Sequence, residues 1–311
     1  MTISARSDEA SPGEQPKGLG AARASEELPI GEPRFASVPE LRERLREVGY
    51  LADDGLAGVV YLADRLAKPV LVEGPAGTGK TELAKSVSRL TGARLIRLQC
   101  YEGLDEAKAL FEWNYRKQLL ALQAEQESVE SVFGEGFLLE RPVLHALRAT
   151  GDRLLLIDEV DRLEIETEAL LLEVLAEFQV TVPELGTIVA ETRPLVILTS
   201  NGVRELSEAL KRRALFLYLD YPDEERERQI IEESVPGISS GLARAVAGFV
   251  ATLRELSLKK PPSIAESLDW ARSLVVLSAS ELGEEVVQAT LPTLLKYRGD
   301  LATAARLLGG E

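Results

Sequence analysis

The segment Gly74-Pro75-Ala76-Gly77-Thr78-Gly79-Lys80-Thr81 sets glycines, one lysine and a closing threonine in the spacing G-x-x-x-x-G-K-T. Glycines permit the positive φ angles that turn consecutive backbone N–H groups inward, and such a concave run of donors fits a phosphate. A helix that starts at the lysine adds the positive end of its dipole to the same spot. Lys80 is spaced to reach the β- and γ-phosphates of a nucleotide, and the Thr81 hydroxyl to ligate Mg²⁺. The pattern arises by chance in roughly one chain in a hundred of this length, and its place between an apolar run and a helical one lowers that further.

A second group of residues belongs with the first. Leu154-Leu155-Leu156-Ile157 runs straight into Asp158-Glu159, an apolar strand with two carboxylates at its C-terminal end. Such a pair alone is ordinary turn chemistry, but beside a phosphate loop it has work to do. Asp158 is placed to hold Mg²⁺ through its waters, and Glu159 to polarise an attacking water. Asn201 closes another apolar run, LVILTSN, where a short amide either makes a turn or touches the γ-phosphate and the lytic water. Lys211, Arg212 and Arg213 form the notable basic cluster. A solvated charge run is its ordinary reading; the functional one is an arginine supplied to a neighbouring subunit's γ-phosphate. No N-K-x-D base-reading motif follows the loop, which favours ATP over GTP.

These residues need a scaffold to meet. LAKPVLVEG, ARLIRLQC, RLLLIDEV, LVILTSN and ALFLYLDYP read as strands, the last stopping at Pro222. TELAKSVSRL and ETEALLLEVLAEF read as helices between them, and QVTVPELGTIVAETRP as a hairpin. Strands that are almost uniformly apolar and alternate with helices predict an α/β fold: a parallel sheet flanked by helices on both faces. The stretch EAKALFEWNYRKQLLALQAEQ is expected to be one mixed helix, followed by a turn at FGEGF and a helix over ERPVLHALRA. Beyond Pro222 only helical patterns remain, which predicts an all-α lid. The expected division is a disordered tail over residues 1–33, a nucleotide-binding domain over 34–222 and a helical domain over 223–311.

Composition narrows the function classes. The 311 residues carry 36 Lys and Arg against 51 Asp and Glu, a formal charge of −15, which repels polyphosphate backbones and argues against nucleic acid as the partner. The lone Cys100 excludes an intrachain disulfide and fits a reducing compartment; the lone His145 excludes a multi-histidine metal site. No apolar run approaches the roughly 18 residues of a membrane span and no leader pattern opens the chain, so a cytoplasmic location is expected. Cys100 and Trp270 read as core residues, His145 as a partly buried helical residue, and Trp113 and Tyr115 as packing or contact residues.

With these pieces in order, the chain resembles the AAA+ ATPases and, within them, the MoxR family. GPAGTGKTELAK, LLLIDEVDRLE, LAEFQVTVPELG, LTSN and ALKRRALFLYLDYP match that family's landmarks. LQCYEGLD, FEWNY, FLLERPVLHAL, PPSIAESLDWA and TLPTLLKYRGD are similar to its CoxD-type branch, associated with maturation of carbon monoxide dehydrogenase and related molybdenum hydroxylases. The likeness runs from about Arg34 to Leu308. It implies a ring, usually hexameric, with ATP at subunit interfaces. Asp158 and Glu159 fall on the second acidic motif and Asn201 on sensor 1. Arg212 matches the arginine of an L-x-R pattern and is the first choice for the trans finger, Arg213 the second. The hairpin falls on the insertion before sensor 1, and Trp113 to Phe137 near the helix-2 insertion, both places where such ATPases touch clients. One departure stands out: the S-P-R-A of many relatives is Ser263-Ile264-Ala265-Glu266 here. Alanine replaces the arginine that senses the γ-phosphate, with Lys259 and Lys260 as the nearby cations.

The leading expectation is therefore a chaperone-like ATPase that remodels a client, possible partners being a molybdenum hydroxylase and a von Willebrand factor A-type protein. An ATP-gated assembly scaffold with slow hydrolysis is the alternative from another class, and a DNA-directed motor a third.

Overall fold

The computed structural model describes residues 33–124 and 131–309, the last three by their backbone alone. Apart from Pro33, the expected disordered tail lies outside the described residues, as do residues 125–130 of the expected mixed helix and helix-2 insertion. Two helices open the fold, α1 (Val38–Glu47) and α2 (Asp54–Leu66), each started by a side chain that accepts from its first turn, Ser37 and Asp53. Strand β1 (Val70–Glu73) leads through the glycine loop to α3 (Lys80–Thr91), then β2 (Arg94–Gln99).

The next stretch corrects the expectation of one helix over 106–126. It breaks into α4 (Glu106–Ala109), β3 (Phe111–Trp113) and α5 (Tyr115–Gln123). Phe111 and Trp113 alternate with Glu112 and bury together, a two-residue period that suits a strand and not a helix turn. β3 pairs antiparallel with β4 (Leu138–Glu140), Phe111 opposite Glu140 and Trp113 opposite Leu138. Asn114 then restarts the helix by accepting from the Lys117 N–H at 3.0 Å. Trp113 stacks edge-on to Phe133 at 5.4 Å, whereas Tyr115 is exposed.

The chain continues through α6 (Pro142–Arg148), β5 (Arg153–Asp158), a 3₁₀ turn at Val160–Arg162, α7 (Ile165–Glu177), the hairpin β6 (Gln179–Val182) and β7 (Gly186–Val189), β8 (Leu195–Ser200), α8 (Glu208–Lys211) and β9 (Leu215–Tyr218). β9 ends four residues before Pro222. Five strands form one parallel sheet in the order β2-β5-β8-β1-β9. Every residue of β5 and β8 is buried. Their alternate side chains divide between two cores: Leu154, Leu156 and Ile197 pack with α1, α2 and α3, while Leu155, Ile157 and Leu198 pack with α6, α7 and the hairpins. This is why both strands are apolar on both faces through Leu154–Ile157 and Leu195–Leu198.

After the sheet come α9 (Glu224–Ser234), α10 (Ser240–Glu255), α11 (Ile264–Val276), α12 (Glu284–Leu294) and α13 (Arg298–Gly309). They enclose a third core centred on the fully buried Trp270, whose indole N–H donates to Thr290 at 2.8 Å. Arg254 ties the base of this bundle together. It donates to the buried Glu227 at 2.9 Å and to the Pro262 carbonyl at 2.9 Å, and lies over the Tyr221 ring. Among the described residues no helix is long and apolar enough to cross a membrane.

Candidate functional site

The parallel sheet delivers the C-terminal ends of its strands to one edge, the edge where open α/β sheets bind ligands. Register fixes which residues meet there. Gln99 lies opposite Asp158, and Glu73 lies between Ser200 and Tyr218. Between β1 and α3 the loop bends through Gly74 (φ 154°), Gly77 (φ 78°) and Gly79 (φ 94°). A Cβ on Gly74 would stand 1.9 Å from the Leu219 carbonyl oxygen, so the loop could not lie against the end of β9 with any other residue. Gly79 caps α3 without a side-chain bond, leaving the first-turn N–H groups directed at the cleft as an anion seat.

Lys80 is buried and donates to the Gly74 and Pro75 carbonyls at 2.8 and 2.7 Å. Burial lowers its pKa from the ordinary lysine value, opposed by the carboxylates of Asp161, Asp158, Glu159 and Glu73. Thr78 closes the loop with a hydroxyl bond to the Pro75 carbonyl at 3.0 Å. Thr81 donates to Asp158 Oδ1 at 3.0 Å, so the hydroxyl and carboxylate that a magnesium ion would need are already adjacent. Hard oxygen donors, with nucleotide phosphate and water left to complete an octahedron, fit that ion.

Asp158 is buried and fully engaged. Its Oδ1 also accepts from Thr199 at 2.5 Å, and its Oδ2 pairs with Arg97. Glu159 adopts a left-handed backbone (φ 58°, ψ 50°), an uncommon state for this residue type, held by its N–H donating to Thr199 at 2.9 Å. The turn aims its partly exposed carboxylate along the sheet edge. There Arg162 Nε lies 2.7 Å away, Gln99 Nε2 3.2 Å and Asn201 Nδ2 3.4 Å. The structure thus brings together the phosphate loop, Lys80, Thr81, Asp158, Glu159 and Asn201.

Arg212 and Arg213 stand apart. They follow α8 and do not line this cleft; Arg212 is exposed, while Arg213 is half-buried and donates to the Ala209 carbonyl at 2.9 Å. The cleft itself has a volume of about 1020 Å³ and runs from the loop to the helical bundle. Tyr50, Leu51 and Asp53, between α1 and α2, form one wall. Ile264, Ala265, Leu268 and Arg272 of α11 form another, a spacing that keeps all four on one helix face. Tyr50 is a neutral phenol in this wall, since burial raises its pKa.

Residues 97, 99, 161, 162 and 272 were not expected from the sequence. Arg97 and Gln99 alternate with the buried Ile96 and Leu98 on β2, but only the β2–β5 register shows that they face Asp158 and Glu159. Asp161 and Arg162 follow the acidic pair directly, a proximity that could have drawn notice. Neither Lys259 nor Lys260 takes the place left by Ala265: Lys259 lies over Tyr297, and Lys260 pairs with Glu266 at 2.8 Å. Among the described residues, two cations of the helical bundle do line the cleft: Arg226 of α9, paired with Asp53 at 2.7 Å, and Arg272, two turns along α11, paired with Asp269 at 3.0 Å. Cys100 is buried and His145 half-buried, bonded to Glu140 at 3.2 Å.

The family model of the AAA domain, dynein-related subfamily, matches residues 69–214. An uncharacterized protein of Staphylococcus haemolyticus is 30% identical over 219 residues, covering 68% of this chain and 78% of that protein. An uncharacterized protein of Staphylococcus aureus is 28% identical over 218 residues, covering 68% and 77%. Among solved structures, the Thermotoga maritima RuvB Holliday junction branch migration motor is similar, with 20% identity and a TM-score of 0.44 over 84% of this chain and 72% of that one.

Proposed function

The chain belongs to the AAA+ ATPases and is an ATP hydrolase, and on that premise we propose that it couples hydrolysis to remodelling a partner protein in the manner of MoxR-type ATPases. The observation that carries the reading is the meeting of Lys80, Thr81, Asp158, Glu159 and Asn201 at one sheet edge, in a cleft walled by α11 of the lid. Lys80 would leave its loop carbonyls for the β- and γ-phosphates, and Thr81 and Asp158 would hold Mg²⁺, which neutralises charge on the transferring phosphoryl group. Glu159 orients a water for in-line attack, and Asn201 fixes Glu159 and reads the γ-phosphate.

In this reading the site is incomplete within one subunit. Arg212, or failing it Arg213, reaches the γ-phosphate of a neighbour in a ring, for which a hexamer is proposed. Their position beyond the chain's own cleft supports that assignment. The β6–β7 hairpin is proposed to meet the client, and its exposed Val189 gives it an apolar contact. The CoxD-like segments point to a cytoplasmic client of the molybdenum hydroxylase class, such as carbon monoxide dehydrogenase, with a von Willebrand factor A-type protein as adaptor.

A second reading, an assembly scaffold that hydrolyses slowly, is favoured by two observations: alanine at position 265, and Glu159 held by Arg162. Steady-state phosphate release with and without a candidate client separates the two. A remodeller is stimulated several-fold, while a scaffold keeps its basal rate and changes assembly state with nucleotide. A DNA-directed motor is disfavoured by the charge of −15.

A further inference from the structure

Asp161 takes no part in the mechanism so far, yet it is buried beneath the site, 2% exposed, in the turn directly after Asp158 and Glu159. Its Oδ2 accepts two backbone N–H groups of another segment, from Asn201 at 3.1 Å and from Val203 at 2.9 Å. One carboxylate oxygen therefore grips the first residues after β8. Its Oδ1 is buried and has no hydrogen-bond partner among the described residues.

The Asn201 amide meets Glu159 at 3.4 Å, too long a contact to hold itself in place. Its position is set by its backbone, and its backbone is set by Asp161. The far end of the same segment is fixed in the same way, for the buried Glu168 of α7 accepts the Ser207 N–H at 2.9 Å and pairs with Arg204. Residues 201–207 are thus strapped at both ends to the stretch that follows the acidic pair.

We propose that Asp161 is a positioning residue for hydrolysis: by holding the Asn201 and Val203 backbone it sets the Asn201 amide against Glu159, beside the lysine that grips phosphate. The proposal rests on the reading of Asn201 and Glu159 given above. Its signature is a change in turnover without a matching change in binding.

The test uses the full chain with fluorescent-ATP binding and phosphate release measured on D161A, D161N, N201A and D161A/N201A, and E159Q alongside. D161A should lower kcat about ten- to hundredfold, the scale of a misplaced catalytic group, with nucleotide Kd unchanged within about twofold. D161N, which retains an oxygen for the two N–H groups, should recover most of the rate. In the N201A background D161A should have little further effect. A D161A loss that multiplies in full with that of N201A, or that appears equally in Kd, overturns the proposal. An E159Q variant that turns over undiminished instead removes the reading beneath it. Should D161A lose the fold, D161S against D161N decides by the same criteria.

Discussion

At the scale of single residues, the site shows how environment assigns roles to similar side chains. Three carboxylates follow one another within four positions. Asp158 is saturated by two hydroxyls and Arg97, Glu159 is turned outward by a left-handed backbone, and Asp161 is turned inward to backbone N–H groups. The sequence displayed the first two because an apolar strand ends on them. The third stayed hidden because its partners lie forty residues away, and only the β5–β8 pairing brings them close. Cys100 was legible as a core residue, and its surroundings make a further point. Burial, with the Asp158 carboxylate adding to it, pushes the thiol up to about 12. Iodoacetamide at pH 8 should therefore leave the native protein unmodified and label the unfolded chain at one site; rapid native labelling by mass spectrometry would contradict this. The sign of the stability effect follows. Below about pH 8.5 the thiol is neutral in both states and contributes no pH dependence. As pH rises above that, the unfolded chain ionises first, and stability falls as the pH climbs toward the folded value.

At the scale of elements, the strand–loop–helix unit was readable because three signals coincide: an apolar run, glycines, then helical periodicity. The α4–β3–α5 region was not, since Leu110 and Trp113 also fit a helical three-residue apolar spacing and only the pairing of Phe111 and Trp113 with β4 decides for a strand. Contact between the loop and α11 was equally beyond periodicity. Gly77 packs so closely on the lid that a Cβ there would stand 2.4 Å from the Ser263 Cβ, and its φ of +78° disfavours any side chain. Ser263 is also fixed by a reciprocal cap with Glu266 at the start of α11. G77A should therefore push the lid from the loop. Nucleotide affinity is expected to fall about tenfold or more, with a stability cost of about 1–3 kcal/mol from the strained backbone. Isothermal titration and thermal melts check both numbers; unchanged affinity would show that the loop and lid do not need this contact.

At the scale of the whole molecule, a parallel sheet gathers the candidate hydrolytic residues at one edge, and the helical bundle roofs them. The family and the ATPase activity follow from the AAA domain match; the ring, the trans arginine and the client are the parts proposed. If Arg212 serves the neighbouring subunit, R212A subunits retain intact nucleotide loops and K80A subunits retain intact arginines. Mixing the two inactive variants should then restore a fraction of the wild-type rate, up to about a quarter for random pairing at equal amounts, and no rescue with assembly intact would place the finger elsewhere. The central claim is that the cleft hydrolyses ATP with Glu159 as the water-orienting group. Its most direct test is E159Q, assayed for fluorescent-ATP binding and for phosphate release in the presence of Mg²⁺. The account predicts nucleotide affinity within a few-fold of wild type and turnover reduced about a hundredfold or more; wild-type turnover in E159Q would contradict it.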